Sequence, residues 1–275
     1  MIFSAKNIRA SRVNLLMNDY AAGLPSPLSF IGLADALMRD LGLTPWSGRV
    51  IPVLHAVTVS DGRTKPEMEN KSGVFTPIET MEDLTGTVEV SLLLDLPGCD
   101  STSDVEAAIM RRRVAGGIIQ NDRIMVTEVT ADGSAFRGFR RGYAMVRPEP
   151  RVPERLKISA GDEASLSAIA DMLLPKERLP GAGWIVPVAA GYRLLEDPET
   201  APARIRRRDP SLPHVFAEPL LGIAELVSVR STRLTDLSEE GLTFLFWSWH
   251  AEGDFVLGHP AYLPDAIHKE DIVHG

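Results

Sequence analysis

The chain has 275 residues, 44% hydrophobic and 24% charged, proportions that exclude disorder as its main state. Its single cysteine, Cys99, excludes an internal disulfide framework and a cysteine-built zinc knuckle, and fits a reducing cytoplasm. A net charge of −8 argues against a freestanding nucleic-acid binder, but Arg111 to Lys157 holds eleven Lys or Arg against five Asp or Glu, a surplus of +6 that leaves −14 for the rest. Charge so segregated suits a protein that offers RNA one basic side and shows acid elsewhere.

Met1 to Lys6 lacks the charged lead and apolar core of a secretory signal. No apolar run approaches the ~18–20 residues that cross a bilayer, so a soluble protein is expected. Ile2 to Leu16 alternates loosely, with Phe3, Ala5, Ile8, Val13 and Leu15 among polar residues, and predicts a long first strand. Gly23-Leu24-Pro25-Ser26-Pro27 breaks it. Ser26 can cap a helix and Pro27 fits its first turn; Phe30, Leu33, Ala34, Leu37 and Leu41 follow at helical spacing, and Gly42 closes it.

Arg49 to Val59 predicts a second strand, with Pro52 pointing to an edge or a bulge. Asp61 to Asp83 is polar and poorly periodic, a loop or projecting hairpin, and Thr87 to Leu94 a third strand. Ser103 and Glu106 form a capping box for a helix through Arg113. Gly116-Gly117 ends that helix, and Ile118 to Val126 is a fourth strand. The order β-α-β-β-α-β predicts an α+β fold with a ferredoxin-like core shared by RNA-recognition folds.

Residues 1–127 are therefore expected to form this RNA-binding core, with 61–86 as a projecting, thumb-like insertion. Residues 128–275, after a soft boundary near Glu128, are expected to form a β-rich α+β extension packed on the core. In it Asp162 to Leu174 looks helical, and Gly183 to Val188, Ala217 to Val229 and Leu242 to Trp249 look strand-like.

Arg111-Arg112-Arg113-Val114-Ala115-Gly116-Gly117 places three arginines in a helix's last turn, where they complement its negative end, before two glycines that let a ligand approach the backbone. That fits either a seat for RNA phosphates or a solvated helix end with a Schellman-type stop. Arg137-Gly138-Phe139-Arg140-Arg141-Gly142-Tyr143 interleaves cations and aromatic rings, either for base stacking or as a glycine-rich turn with a positive face. Arg204 to Arg208 is a third basic cluster, for which a solvated charge run is the simpler reading.

Catalytic signatures are missing: there is no GxSxG elbow, Walker loop or HExxH, and no cysteine set for a metal. His55 and His250 read as packed histidines. Neither metal nor cofactor is expected.

Gly23 to Arg39 (GLPSPLSFIGLADALMR) resembles a stretch of the Cas-five-type subunit of type I-F CRISPR complexes, the Csy-two family, with Asp35 where that family commonly has histidine. Arg113-Val114-Ala115-Gly116-Gly117-Ile118, Gly183-Trp184-Ile185-Val186-Pro187 with Gly191-Tyr192, and Phe216-Ala217-Glu218 with Gly222-Ile223-Ala224-Glu225-Leu226 resemble three further stretches in the same order; Leu226 replaces a usual tryptophan. The resemblance implies a non-catalytic member of the repeat-associated RNA-binding (RAMP) superfamily and leaves a variant I-F system open. Such a cytoplasmic subunit would hold the 5′ handle of the CRISPR RNA. It would dock the large (Cas-eight-type) subunit and abut the first backbone (Cas-seven-type) subunit, with target DNA recognised through the assembled complex. By position, Arg111, Arg112, Arg113, Gly116 and Gly117 become handle contacts, with Asn7, Arg9, Arg12 and Ser26 as secondary candidates; Arg137, Arg140 and Arg141 enter on charge. The alternative is an endoribonuclease that processes repeat RNA, for which His55, Tyr143 or a lysine would have to act as acid or base.

Overall fold

The computed structural model describes residues 1–17, 22–60, 64–82, 84–148, 170–176, 181–201 and 214–260. These form a mixed α+β structure dominated by one eleven-stranded antiparallel sheet. Its first strand, β1 (Ile2–Asn14), keeps an apolar face because it is bulged twice. Asn7 and Arg12 sit at the irregularities with φ of 55° and 57°. Each extra residue resets the alternation, so Phe3, Ala5, Ile8, Ala10 and Val13 all enter one core. Asparagine tolerates the left-handed region; an arginine there costs roughly 1–2 kcal/mol.

Helix α1 (Pro27–Asp40) forms as its local signals dictate. Ser26 Oγ accepts the Leu28 N–H at 3.1 Å and donates to the Ala189 carbonyl at 2.9 Å, capping the helix and tying it to a distant strand. Phe30, Leu33, Ala34 and Leu37 are buried, each large side chain contributing about 1.5–3 kcal/mol. Gly42, with φ of 69°, terminates the turn.

Strands β2 (Arg49–Val59) and β5 (Thr85–Asp95) pair with each other, and the expected projecting segment between them is a separate hairpin, β3 (Thr64–Lys71) and β4 (Val74–Glu82). It turns through Ser72 and Gly73, both at positive φ, as a two-residue hairpin loop requires. Pro52 does not mark an edge: β2 is interior, with β5 on one side and β9 (Tyr143–Val146) and β12 (Trp247–Glu252) on the other. Pro52 lies between Val50, which meets β12, and Val53–Leu54, which meet β9; the irregularity falls at His55 instead.

Helix α2 (Thr102–Met110) is shorter than expected. Its cap is Ser101, whose Oγ accepts the Asp104 N–H at 3.2 Å, and not Ser103. It ends before the arginine triplet, with Arg111 as C-cap. The diglycine belongs to a tight hairpin, β6 (Arg113–Val114) and β7 (Gly117–Ile119), turning through Ala115 (φ 46°) and Gly116 (φ 78°). The expected fourth strand is two strands, β7 and β8 (Met125–Val129), both paired to β1 on either side of the Asn7 bulge. Between them the Asn121 side chain replaces the ladder, accepting the Arg9 N–H at 2.7 Å and donating to the Asn7 carbonyl at 3.0 Å. The inner sheet thus runs β8-β1-β5-β2. Glu128 lies inside β8, opposite Phe3.

The sheet continues through β9 (Tyr143–Val146), β11 (Ala217–Ser228), β10 (Trp184–Leu194), β13 (Phe255–Pro260) and β12 (Trp247–Glu252). The pairing of Trp247 with Val50 then closes β2, β9, β11, β10, β13 and β12 into a ring. The Trp247 indole N–H, bonded to the Met145 carbonyl at 2.9 Å, reinforces the closure. Where a strand was expected from Leu242, the chain forms a helix: Ser238 caps it and Glu239 and Glu240 occupy its positive end. Of the helix expected over Asp162–Leu174, only 170–174 fall among the described residues, and 170–173 are helical.

Two cores face each other across the sheet. One joins α1 and α2 to Phe3, Ile8, Val90, Leu92 and Val188. The other packs Ile51, Val53, Leu93 and Val227 beneath a 3₁₀ turn (Gly133–Phe136) and helices α3 (Thr232–Thr235) and α4 (Glu239–Leu245). Among the described residues no helix is long and apolar enough to cross a membrane.

Candidate nucleic-acid interface

The second core covers only part of the sheet face opposite α1 and α2. Beyond it β1, β5 and β7 carry polar side chains into solvent. Cross-strand partners share a face. Ser11 stands opposite Ile118, and Ile118 opposite Arg113, so Arg113 projects on the same side as Ser11 and, two residues along, Arg9. Lys6 points to this side too, its Nζ against Gly138, where a Cβ would lie 2.7 Å away. Ile118 (45% exposed) and Met125 (55%) add apolar surface among these cations.

Glu89, in register with Arg9, is clamped between Arg140 and Arg9, the latter at 3.3 Å. The hydrogen bond from Arg140, more than Arg9's charge, holds its carboxyl below the usual range. Behind the clamp runs a polar relay. The Asn7 N–H donates to Ser91 Oγ at 2.9 Å. His55 Nδ1–H donates to the Arg141 carbonyl at 3.0 Å, leaving Nε2 to accept the Ser91 hydroxyl at 2.7 Å. The relay fixes the bulge of β1 to the loop that presents Arg140 and Arg141.

Burial pushes the His55 pKa below its ordinary 6.5. The unfolded chain therefore takes up this proton first as pH falls, and His55 subtracts stability progressively below about pH 6.5, down through its folded pKa. His55→Gln is expected to flatten the decline of melting temperature between about pH 7 and 5 relative to the unmodified chain. Equal slopes in the two proteins would remove this role.

The arginine triplet divides. Arg111 is exposed and forms no ion pair among the described residues. Arg112 turns to the end of α1, its Nε donating to Asp40 at 2.7 Å, which raises the arginine's pKa and lowers the aspartate's. Arg113 joins the open strip. The two glycines also differ. Gly116 is exposed with open space where a Cβ would stand, whereas a Cβ on Gly117 would lie 2.5 Å from Val13 and 2.7 Å from the Ser11 carbonyl. Gly117 is a packing residue.

Ser26 is engaged on both sides as cap and tether, away from this strip. Arg12, Arg137 and Arg141 are exposed, and Asn7 supplies its backbone to the relay. Phe139 does not serve as a stacking ring: it is 8% exposed, edge-on to Phe136 in the second core. Tyr143, at 36%, is accessible. Arg204 to Arg208 lie outside the described residues. The sequence reading missed Lys6, Asn121 and Gln120, whose Nε2 donates to Ser11 Oγ at 3.0 Å; the local signal was two polar amides and a lysine interrupting strand-like segments.

Two of the motif stretches meet elsewhere. Trp184 and Ile185 pair with Leu226 and Glu225. Glu225, 3% exposed, accepts two bonds from Arg233 at 2.6 and 2.9 Å and the Gly183 N–H at 2.8 Å. A Cβ on Gly183 would fall 2.5 Å from that carboxylate. The Gly-Trp and Gly-Ile-Ala-Glu motifs thus encode a buried ion pair.

A family model described as CRISPR-associated protein (Cas_Csy2) matches residues 153–257, the span that contains this pair. "CRISPR-associated protein Csy2" of Pseudomonas aeruginosa (strain UCBPP-PA14) is 25% identical over 303 residues, covering 88% of this chain and 89% of the relative. Both comparisons name the family that the ordered motifs resemble, the Csy2 family of CRISPR-associated proteins.

Proposed function

We propose that the chain is a non-catalytic RNA-binding subunit of a type I-F CRISPR complex, holding the 5′ handle of the guide beside the large and first backbone subunits. The observation that carries this reading is the open strip of sheet: Lys6, Arg9, Arg113 and Arg140 share it with one carboxylate, Glu89, which Arg9 and Arg140 neutralise. The order β8-β1-β5-β2, with both helices packed on one face, supports a ferredoxin-like core whose other face meets RNA. A chain acidic overall can bind an oligonucleotide there because only the local potential acts within a Debye length of about 8–10 Å. His55 supports binding over cleavage, since both its ring nitrogens are spent on Ser91 and Arg141.

The test is anisotropy titration of labelled repeat-derived handle RNA against the chain reconstituted with the large subunit, at several salt concentrations. Each phosphate contact on single-stranded nucleic acid contributes about −0.7 to the slope of log K against log salt. Arg9→Ala with Arg113→Ala is expected to weaken binding and make the slope shallower by about 1.4. An unchanged slope with the fold intact would count against this placement. A site-specific cut in repeat RNA, lost in His55→Ala, would favour the processing enzyme instead.

A further inference from the structure

Trp46 is the most conspicuous side chain that the reading above leaves unused. It lies in the loop between α1 and β2, 61% exposed, with φ of 67°. A bulky side chain in the left-handed region is a strained exception, held only where its surroundings dictate it. Here Asp35 dictates it. That carboxylate, 8% exposed, accepts the Trp46 N–H through Oδ1 at 2.6 Å and Arg39 Nε through Oδ2 at 2.8 Å. Arg39 in turn lays its guanidinium over the indole, 4.9 Å from the ring centroid, and Trp249 meets the ring edge-on at 6.3 Å. Asp35 is also the departure from the histidine common in this motif. A neutral imidazole offers one acceptor, and this arrangement needs two.

We propose that Trp46, backed by Arg39, is a stacking platform for an unpaired base of the bound RNA. The proposal rests on the RNA-binding reading and adds a second contact region to it. The indole is held by Arg39 over its ring and by a T-shaped contact with Trp249, so its orientation is set before binding, which lowers the ordering cost that a mobile aromatic would incur. The groups around it favour an oligonucleotide over a protein pocket. Arg39 is followed in α1 by Asp40, which binds Arg112, and Arg111 also acts on Asp40. Both carboxylates in this corner are thus matched by arginine. A strand that passes Arg113 on the open sheet and turns over the rim of β6 would meet Arg111 and Arg112 at the end of α2, then the indole on the helix side. Stacking is indifferent to base identity, so the platform orients a nucleotide without selecting it.

The experiment uses the full chain reconstituted with the large subunit and the same handle RNA. Trp46→Ala is expected to weaken binding about 5- to 30-fold with an unchanged salt slope, and Trp46→Phe to recover most of the loss. Irradiating the RNA with one 5-iodouridine moved along it is expected to crosslink Trp46 from one position. A thermal melt controls for folding, which the exposed ring makes robust. Full RNA affinity in Trp46→Ala, while Arg9→Ala with Arg113→Ala still weakens binding, overturns the platform and leaves the RNA reading standing. Full RNA affinity combined with failure to co-purify a neighbouring subunit overturns it in favour of a protein anchor. No binding by the unmodified chain removes both.

Discussion

Glu225→Ala is expected to lower the free energy of unfolding by about 3 kcal/mol, because it removes an almost wholly buried carboxylate that accepts two bonds from the Arg233 guanidinium. The Glu225 side chain is 4% exposed and that of Arg233 27%, so water compensates little. The substitution also takes the acceptor from the Gly183 N–H, loosening the start of β10. Glu225→Gln keeps one acceptor and should cost less. Replacing both partners, Glu225→Leu with Arg233→Met, should recover most of the loss, since a well-packed apolar pair avoids desolvating two charges. Urea unfolding followed by circular dichroism measures all three. A midpoint unmoved in Glu225→Ala would show that the pair contributes nothing.

Gly117→Ala is expected to cost about 3 kcal/mol, at the upper end for overpacking, because the new methyl meets backbone as well as a side chain. Val13 Cγ2 could shift; the Ser11 carbonyl and Val13 nitrogen, 2.7 and 3.0 Å from the Cβ position, belong to a central strand and cannot. The hairpin must lift off β1, carrying Arg113 with it. RNA affinity should therefore fall although no charge is removed. Gly116→Asn is the contrasting variant: space is open there, φ is 78°, and asparagine accepts that conformation, so stability should hardly change. Melting temperature and handle affinity, measured together on both variants, separate the two glycines. Equal behaviour would refute the division of roles.

Helix α1 was legible in the sequence because every signal for it is local: cap, proline, apolar stripe and terminating glycine lie within one stretch. The β6–β7 hairpin was not. An Arg-Val-Ala-Gly-Gly run following an amphipathic segment looks like a helix end, and nothing nearby announces that Ala115 takes positive φ. The break between β7 and β8 is set by a side chain bonded to a bulge 114 residues earlier in the chain. Helix α4 failed for a different reason: short apolar runs such as Leu242 to Leu245 satisfy either period, and the Ser238 cap decides.

For the candidate site, the resemblance pointed to Arg9 and Arg113 and charge to Arg140, but their shared face follows from cross-strand register and two bulges. Trp46 carried only an indirect signal, an Asp35–Arg39 pair at helical spacing where the family pattern has another residue.

The self-closing course from β2 round to β12 has a consequence for assembly. The circuit closes only in part: β11 meets β9 over Glu225–Ser228 alone, so among the described strands the outer rim of Ala217–Ala224 has no ladder partner. At the other end of the main sheet, among the described residues, the outer rims of two short segments, β6 and β8, are open as well. Each is at most five residues long, and they flank the cationic strip. A neighbour that adds to β6 or β8 would lie alongside the proposed path of the guide, whereas one that adds to β11 would lie away from it.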